Sequence, residues 1–116
     1  MLSLLEKADY CFIDGTFRTA AKGYFQLLVL VVLHTETNMF VPVIYALATS
    51  KTQDIYETFF YLIQMLCLKN GIKIKLQKAV MDMEQGLQNA WNKIFPNIQI
   101  VSCFFHYVSF FFLITF

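Results

Sequence analysis

Hydrophobic and polar positions along this chain change their period twice, and those changes divide it into elements. Residues 1–8 form a short lead-in, helical or extended. Tyr10–Phe17 reads as a first strand, ended by Arg18 and Thr19, with a turn at Ala20-Ala21-Lys22-Gly23. Tyr24–Thr35 is a long Val- and Leu-rich run, continuous enough to predict a strand buried on both faces. After a turn at Glu36-Thr37-Asn38, Met39–Ala48 is a third strand. Pro42 within it lacks a ladder donor and so predicts a sheet edge.

The period then becomes helical. Ser50-Lys51-Thr52-Gln53 has capping-box spacing, and Asp54 and Glu57 put negative charge in a first turn. Ile55, Phe59, Leu62, Ile63 and Leu66 mark a buried stripe that Tyr56, Phe60 and Tyr61 widen, and Asn70-Gly71 marks the stop. Lys78–Met83 is a short fourth strand. Gln85–Ile94 is a second helix with Leu87, Ala90, Trp91 and Ile94 on one face, stopped at Phe95-Pro96-Asn97. Ile98–Phe105 is a fifth strand or a strand-to-helix junction. The order is β-β-β-α-β-α-β, a mixed α/β (α+β) sheet. Its crossover places the fourth strand parallel to the first and beside it.

Two stretches then stand out chemically. Cys11-Phe12-Ile13-Asp14-Gly15-Thr16-Phe17 and Ala79-Val80-Met81-Asp82-Met83-Glu84 each carry an acid out of an apolar run. A lone charge among Phe12, Ile13 and Phe17 would cost several kcal/mol to bury unpaired. Asp14 reads either as a hairpin-turn aspartate, since Asp-Gly favours tight turns, or as half of a cation site shared with Asp82 on the neighbouring strand. Asp82 has its own bland alternative as the N-cap of Gln85–Ile94. Glu84 reads as first-turn charge.

Composition narrows the setting. The 116 residues make one domain, 58% hydrophobic and 15% charged, an apolar mixture for a free-standing domain. The net charge of +1 gives no broad attraction to nucleic acid, so a DNA contact would need a local patch. Three cysteines without motif spacing argue against a secreted disulfide framework. No signal peptide is evident. The apolar runs Leu27–Leu33 and Phe110–Ile114 fall short of the roughly 18 residues of a membrane span.

Six segments carry a more specific likeness: Asp14-Gly15-Thr16-Phe17, Gly23-Tyr24-Phe25-Gln26-Leu27, Val41-Pro42-Val43-Ile44-Tyr45-Ala46-Leu47, Asp82-Met83-Glu84, Phe95-Pro96 and Cys103-Phe104-Phe105-His106. In this order and spacing the chain resembles the Mutator-like element (MULE) transposase catalytic domain over residues 9–107. The resemblance implies a ribonuclease-H-like core and an Asp-Asp-Glu triad holding two Mg2+ or Mn2+ ions for DNA strand cleavage and transfer in the nucleus. Asp14 corresponds to the first acid and Asp82 to the second. Cys103 and His106 match a Cys/His motif of the family. By spacing alone they are two ligands of an incomplete zinc site or a buried pair.

One departure is large. After Glu84 the sequence has no Asp or Glu, so the third acid is missing. Residues 108–116 are an atypical apolar tail where the family continues with an amphipathic helix, which suggests a C-terminally truncated domain, inactive alone. The rival readings are a non-catalytic, DNA-associated regulatory or assembly module and a decayed coding fragment. Missing helical cover also predicts exposed surface around Phe59, Phe60 and Phe110–Phe112, prone to self-association. His34 and Trp91 are expected as structural residues, and Lys22, Lys51, Lys69, Lys73, Lys75 and Lys78 mainly as solvated charge.

Overall fold

A computed structural model of the chain describes residues 2–16, 23–34 and 36–102. The lead-in forms helix α1 (Ser3–Lys7), followed by strands β1 (Tyr10–Thr16), β2 (Gln26–His34) and β3 (Met39–Ala48). Helix α2 (Gln53–Lys69), strand β4 (Lys78–Val80), helix α3 (Gln85–Ile94) and strand β5 (Gln99–Val101) complete the order. The five strands make one sheet in the order β3-β2-β1-β4-β5. β1 pairs antiparallel with β2, and β2 with β3, as a meander. β4 lies parallel to β1, and β5 parallel to β4.

β3 is the edge strand that Pro42 predicted. The proline sits where the register slips: Leu30 faces Ile44 while Val31 faces Pro42, leaving Val43 as the extra residue of a bulge. β2 is buried along most of its length and feeds both faces of the sheet. Its Leu28, Leu30 and Val32 join Cys11, Ile13, Ala79 and Met81 beneath the helices. The alternate positions Val29 and Val31 pack on the other face with Phe12, Leu27 and Phe40. There the Phe12 and Phe40 rings meet edge to face at 5.0 Å.

The helices cover the first face. α2 starts at Thr52, whose hydroxyl accepts from the Ile55 amide at 3.4 Å; the cap is Thr52, and the expected Ser50 lies outside the helix. The helix closes through Gly71 at φ +68°, with the Ile72 amide donating to the Cys67 carbonyl at 2.9 Å. Its inner face is Tyr56, Phe59, Phe60, Ile63 and Cys67. The expected stripe is therefore rotated. Leu62 is 58% exposed, whereas Phe59 and Phe60, expected at an open surface, are 5% and 0% exposed. The reason is tertiary: the Phe60 ring stands edge-on to Trp91 of α3 at 5.0 Å, and Trp91 stacks obliquely on Phe95 at 4.5 Å. Outward apolar residues of α2 are instead Tyr61, Leu62, Met65, Leu66 and Leu68.

Several boundaries differ from expectation. β4 ends at Val80, not Met83, and β5 spans only Gln99–Val101. Phe17, Cys103, His106 and the tail 108–116 lie outside the described residues. Among the described residues, no helix is long and apolar enough to cross a membrane.

Trp91 is 1% exposed, and its indole nitrogen donates to the Ile98 carbonyl at 3.2 Å. Truncation would remove the centre of the α2–α3 contact and orphan a buried acceptor. Trp91→Ala is expected to lower unfolding free energy by roughly 3–5 kcal/mol in urea denaturation. A loss under about 1 kcal/mol would show that the helices pack differently.

Candidate functional site

Asp14 lies near the C-terminal end of β1, and Asp82 two residues past the C-terminal end of β4. In the parallel ladder Tyr10 faces Lys78, Cys11 faces Ala79 and Phe12 faces Val80. β1 runs on two residues further to Asp14, whereas the ladder with β4 stops at Val80 and Asp82 lies in the segment that follows it. Asp14 has the parity of Phe12, on the sheet face away from the helices, whereas Asp82 borders a helix-side cleft with Tyr56 and Leu87. Asp14 is still within β1, opposite Val29 of β2, and is 4% exposed. A carboxylate so enclosed has lost most of its water and must be held by protein groups, a cation or both. Asp82 has left its strand and is exposed; its Oδ1 accepts from the Met83 amide at 2.7 Å. It does not cap α3, whose N-cap position is Glu84.

Beside Asp82 lies a cleft of about 100 Å³, lined on the sheet side by Ile13, Gly15 and Leu28 and closed by Tyr56 and Leu87. Asp82, Glu84 and Lys51 stand at its polar end. Glu84 does not project away as free first-turn charge. Its Oε2 accepts from the Tyr56 hydroxyl at 2.9 Å, and its Oε1 lies 3.9 Å from the Lys51 ammonium. The Lys51 contact is long and half-solvated, so it adds little.

Tyr56 is in turn held by Gln26. The Gln26 amide nitrogen donates to the Tyr56 oxygen at 3.3 Å and to the Ser50 carbonyl at 3.1 Å. Gln26 is 2% exposed and, among the described residues, is one of two buried polar or charged residues together with Asp14. Its carbonyl oxygen occupies the space beside Gly15: a Cβ there would approach Gln26 Oε1 to 2.5 Å. Gly15 is thus required for close approach, with no turn conformation involved. Burial, chiefly, with hydrogen bonding to Glu84 and the nearby Glu84 and Asp82 charges, raises the Tyr56 phenol to about 12, against an opposing contribution from Gln26. Tyr56 is therefore a proton donor to Glu84 at neutral pH.

Two side-chain contacts lie away from this cleft. His34 Nδ1 lies 2.7 Å from the Thr37 hydroxyl and links the ends of the β2–β3 turn. Lys93 meets Glu57 at 2.7 Å on the surface between α3 and α2. Among the described residues, no group of three or more His, Cys, Asp or Glu is placed to hold a metal ion. Gln26 and Tyr56 were not singled out for chemistry by their sequence positions. The signal was present in Gly-Tyr-Phe-Gln, where a polar residue opens an otherwise apolar strand.

A five-stranded mixed sheet in this order, with helices over one face and acids at the ends of its parallel central strands, is the ribonuclease-H-like arrangement. One solved structure shares this fold. A chain of the simian T-cell lymphotropic virus intasome, solved in complex with the PP2A regulatory subunit B56 gamma, matches 83% of this chain at a TM-score of 0.50 and 13% identity. The HTLV-2 integrase catalytic core domain in complex with magnesium matches over 88% at a TM-score of 0.44 and 15% identity. The chain spans 32% and 65% of the lengths of those two structures. No curated protein matches the sequence. The MULE transposase domain family matches residues 10–109, and the chain belongs to that family.

Two measurements probe this site. Gly15→Ala is expected to cost roughly 1–3 kcal/mol of stability, because Gln26 must move and leave buried polar groups unpaired. In a urea-denaturation cycle with Gln26→Ala the two losses should fall short of additive, and full additivity would show that the contact is not the cause. The Tyr56 phenol should ionise only towards pH 12 by absorbance near 295 nm, and Tyr56→Phe should remove that late phase. A folded-state value raised above the usual 10 stabilises the fold below pH 10, and this is lost as pH rises towards about 12. A titration curve that Tyr56→Phe leaves unchanged at high pH would contradict it.

Proposed function

We propose that this chain carries the acid pair of a metal-dependent transposase core, with Asp14 and Asp82 holding Mg2+ or Mn2+ for DNA strand cleavage and transfer in the nucleus. The parallel pairing of β1 with β4 is the observation that supports this most, since both strands lead towards an acid at the same end of the sheet. Membership of the MULE transposase domain family supplies the reaction class. The donor chemistry fits: carboxylate oxygens are the hard ligands that Mg2+ prefers over nitrogen or sulfur.

A bound ion of this kind would neutralise charge on a phosphate and lower the pKa of an attacking water or hydroxyl. The residues of this chain do the rest. Asp14, enclosed within β1, presents a fixed carboxylate with little rotational freedom. Asp82, exposed beyond β4, is the solvent-facing member, at the side from which a DNA backbone would approach. Two carboxylates support the binding of one ion, and Asp14 and Asp82 are the two that the family's acid positions supply here.

The same observation favours a second reading, in which the domain serves as a DNA-associated regulatory or assembly module without chemistry. Cys103 and His106 match the family's Cys/His motif and are proposed only as an accessory pair.

The test is Mn2+ binding by isothermal titration calorimetry or electron paramagnetic resonance on the 116-residue chain. Asp14→Ala and Asp82→Ala should each weaken binding by roughly tenfold or more. Binding indifferent to both substitutions would overturn the cation reading and leave the module reading standing.

A further inference from the structure

We propose that Tyr56 and Gln26 are positioning residues for the acidic segment 82–84. They tether Glu84 to the core and so fix where Asp82 stands relative to Asp14. The inference rests on the Asp14–Asp82 reading above and extends it to residues that touch neither the ion nor DNA.

The geometry points there by continuity. β4 ends at Val80, and among the described residues Asp82 is held by the neighbouring Met83 amide and by the Gln88 side chain, which donates to the Asp82 carbonyl at 3.3 Å. That loop therefore has little sheet structure to place it. The strongest side-chain anchor from outside the segment is the Tyr56 hydroxyl on Glu84 at 2.9 Å, a charge-assisted bond spanning 28 residues of sequence. Tyr56 is 2% exposed and packed within α2, so its oxygen has a fixed address. Gln26 orients it from below, and the Gln26 amide is itself lodged against Gly15, the residue next to Asp14.

A polar chain thus runs from the backbone beside one acid to the loop that bears the other. A plain core would have placed Phe at position 56 and Leu or Val at position 26, with no buried polar groups to satisfy. A buried network of this kind is retained where it sets a unique geometry, and partial disruption is costly. Glu84 also serves as an acceptor here rather than as a third ligand, since both of its oxygens face protein donors, Tyr56 and Lys51.

The experiment is Mn2+ affinity of the full 116-residue chain, read by electron paramagnetic resonance well below the melting temperature. Tyr56→Phe deletes one oxygen, and Glu84→Ala removes the acceptor. Each is expected to weaken Mn2+ binding roughly tenfold, and the double variant no further than either alone. Glu84→Gln keeps an acceptor oxygen without the charge and should restore affinity to within about twofold of wild type, which general destabilisation would not do. If Glu84→Gln loses as much as Glu84→Ala, Glu84 is a ligand and the positioning role is overturned. If binding depends on Asp14 and Asp82 but ignores Tyr56→Phe, this inference alone fails. If binding ignores Asp14 and Asp82 as well, the cation reading fails and carries this inference with it. Should Tyr56→Phe fail to fold, Gln26→Leu is the second variant, with the same loss expected and an unchanged affinity overturning the proposal.

Discussion

Parallel pairing between β1 and β4 is the constraint on which the rest of this fold depends. Two parallel strands cannot be joined by a tight turn, so the chain between them must leave the sheet edge and return over a face. Here it does so through β2, β3 and α2, and that path puts α2 against one face of the central strands. Once the register is set, alternation does the sorting. Cys11, Ile13, Ala79 and Met81 go under the helices, and Phe12 and Asp14 go to the other side. A slip of one residue would exchange Ile13 for Asp14 and drive a carboxylate towards the aromatic layer of Phe60 and Trp91.

The helix-side core is not wholly apolar, and its polar part is ordered along one path. Gly15 leaves room for the Gln26 amide, Gln26 orients Tyr56, and Tyr56 holds Glu84. Each link is satisfied: among the described residues no buried side-chain nitrogen or oxygen lacks a partner. Such a chain constrains the loop after β4 without relying on strand pairing, which ends at Val80. Rigid strand on one side and tethered loop on the other are what a shared cation would require of its two holders.

Local pattern made much of this legible. Met39–Ala48 and Gln85–Ile94 were readable to the residue, because a period of two or 3.6 bounded by turn residues is a strong signal within a single element. The edge position of β3 followed from one proline, and the adjacency of β1 and β4 from the rules of crossover connections. What escaped was tertiary. Ser50 and Thr52 are equally good caps by chemistry, and only the path of the chain selects Thr52. Phe60 looked uncovered because its cover, Trp91 on α3, lies 31 residues away, and Phe59 packs in turn on Phe60. Glu84 resembled ordinary first-turn charge, since nothing local signals a tyrosine 28 residues earlier. Gln26 was hidden by its apolar neighbours for the same reason.

The central claim is that Asp14 and Asp82 hold one divalent ion between them, and its most direct test is spatial. In an 15N-labelled sample titrated with substoichiometric Mn2+, paramagnetic broadening reports which amides lie near the ion. The account predicts that the amides of Asp14, Gly15, Val29, Asp82 and Met83 broaden first and together, and that Mg2+ in excess restores them. Broadening centred elsewhere, or around Asp82 and Glu84 while Asp14 and Val29 stay sharp, would contradict it.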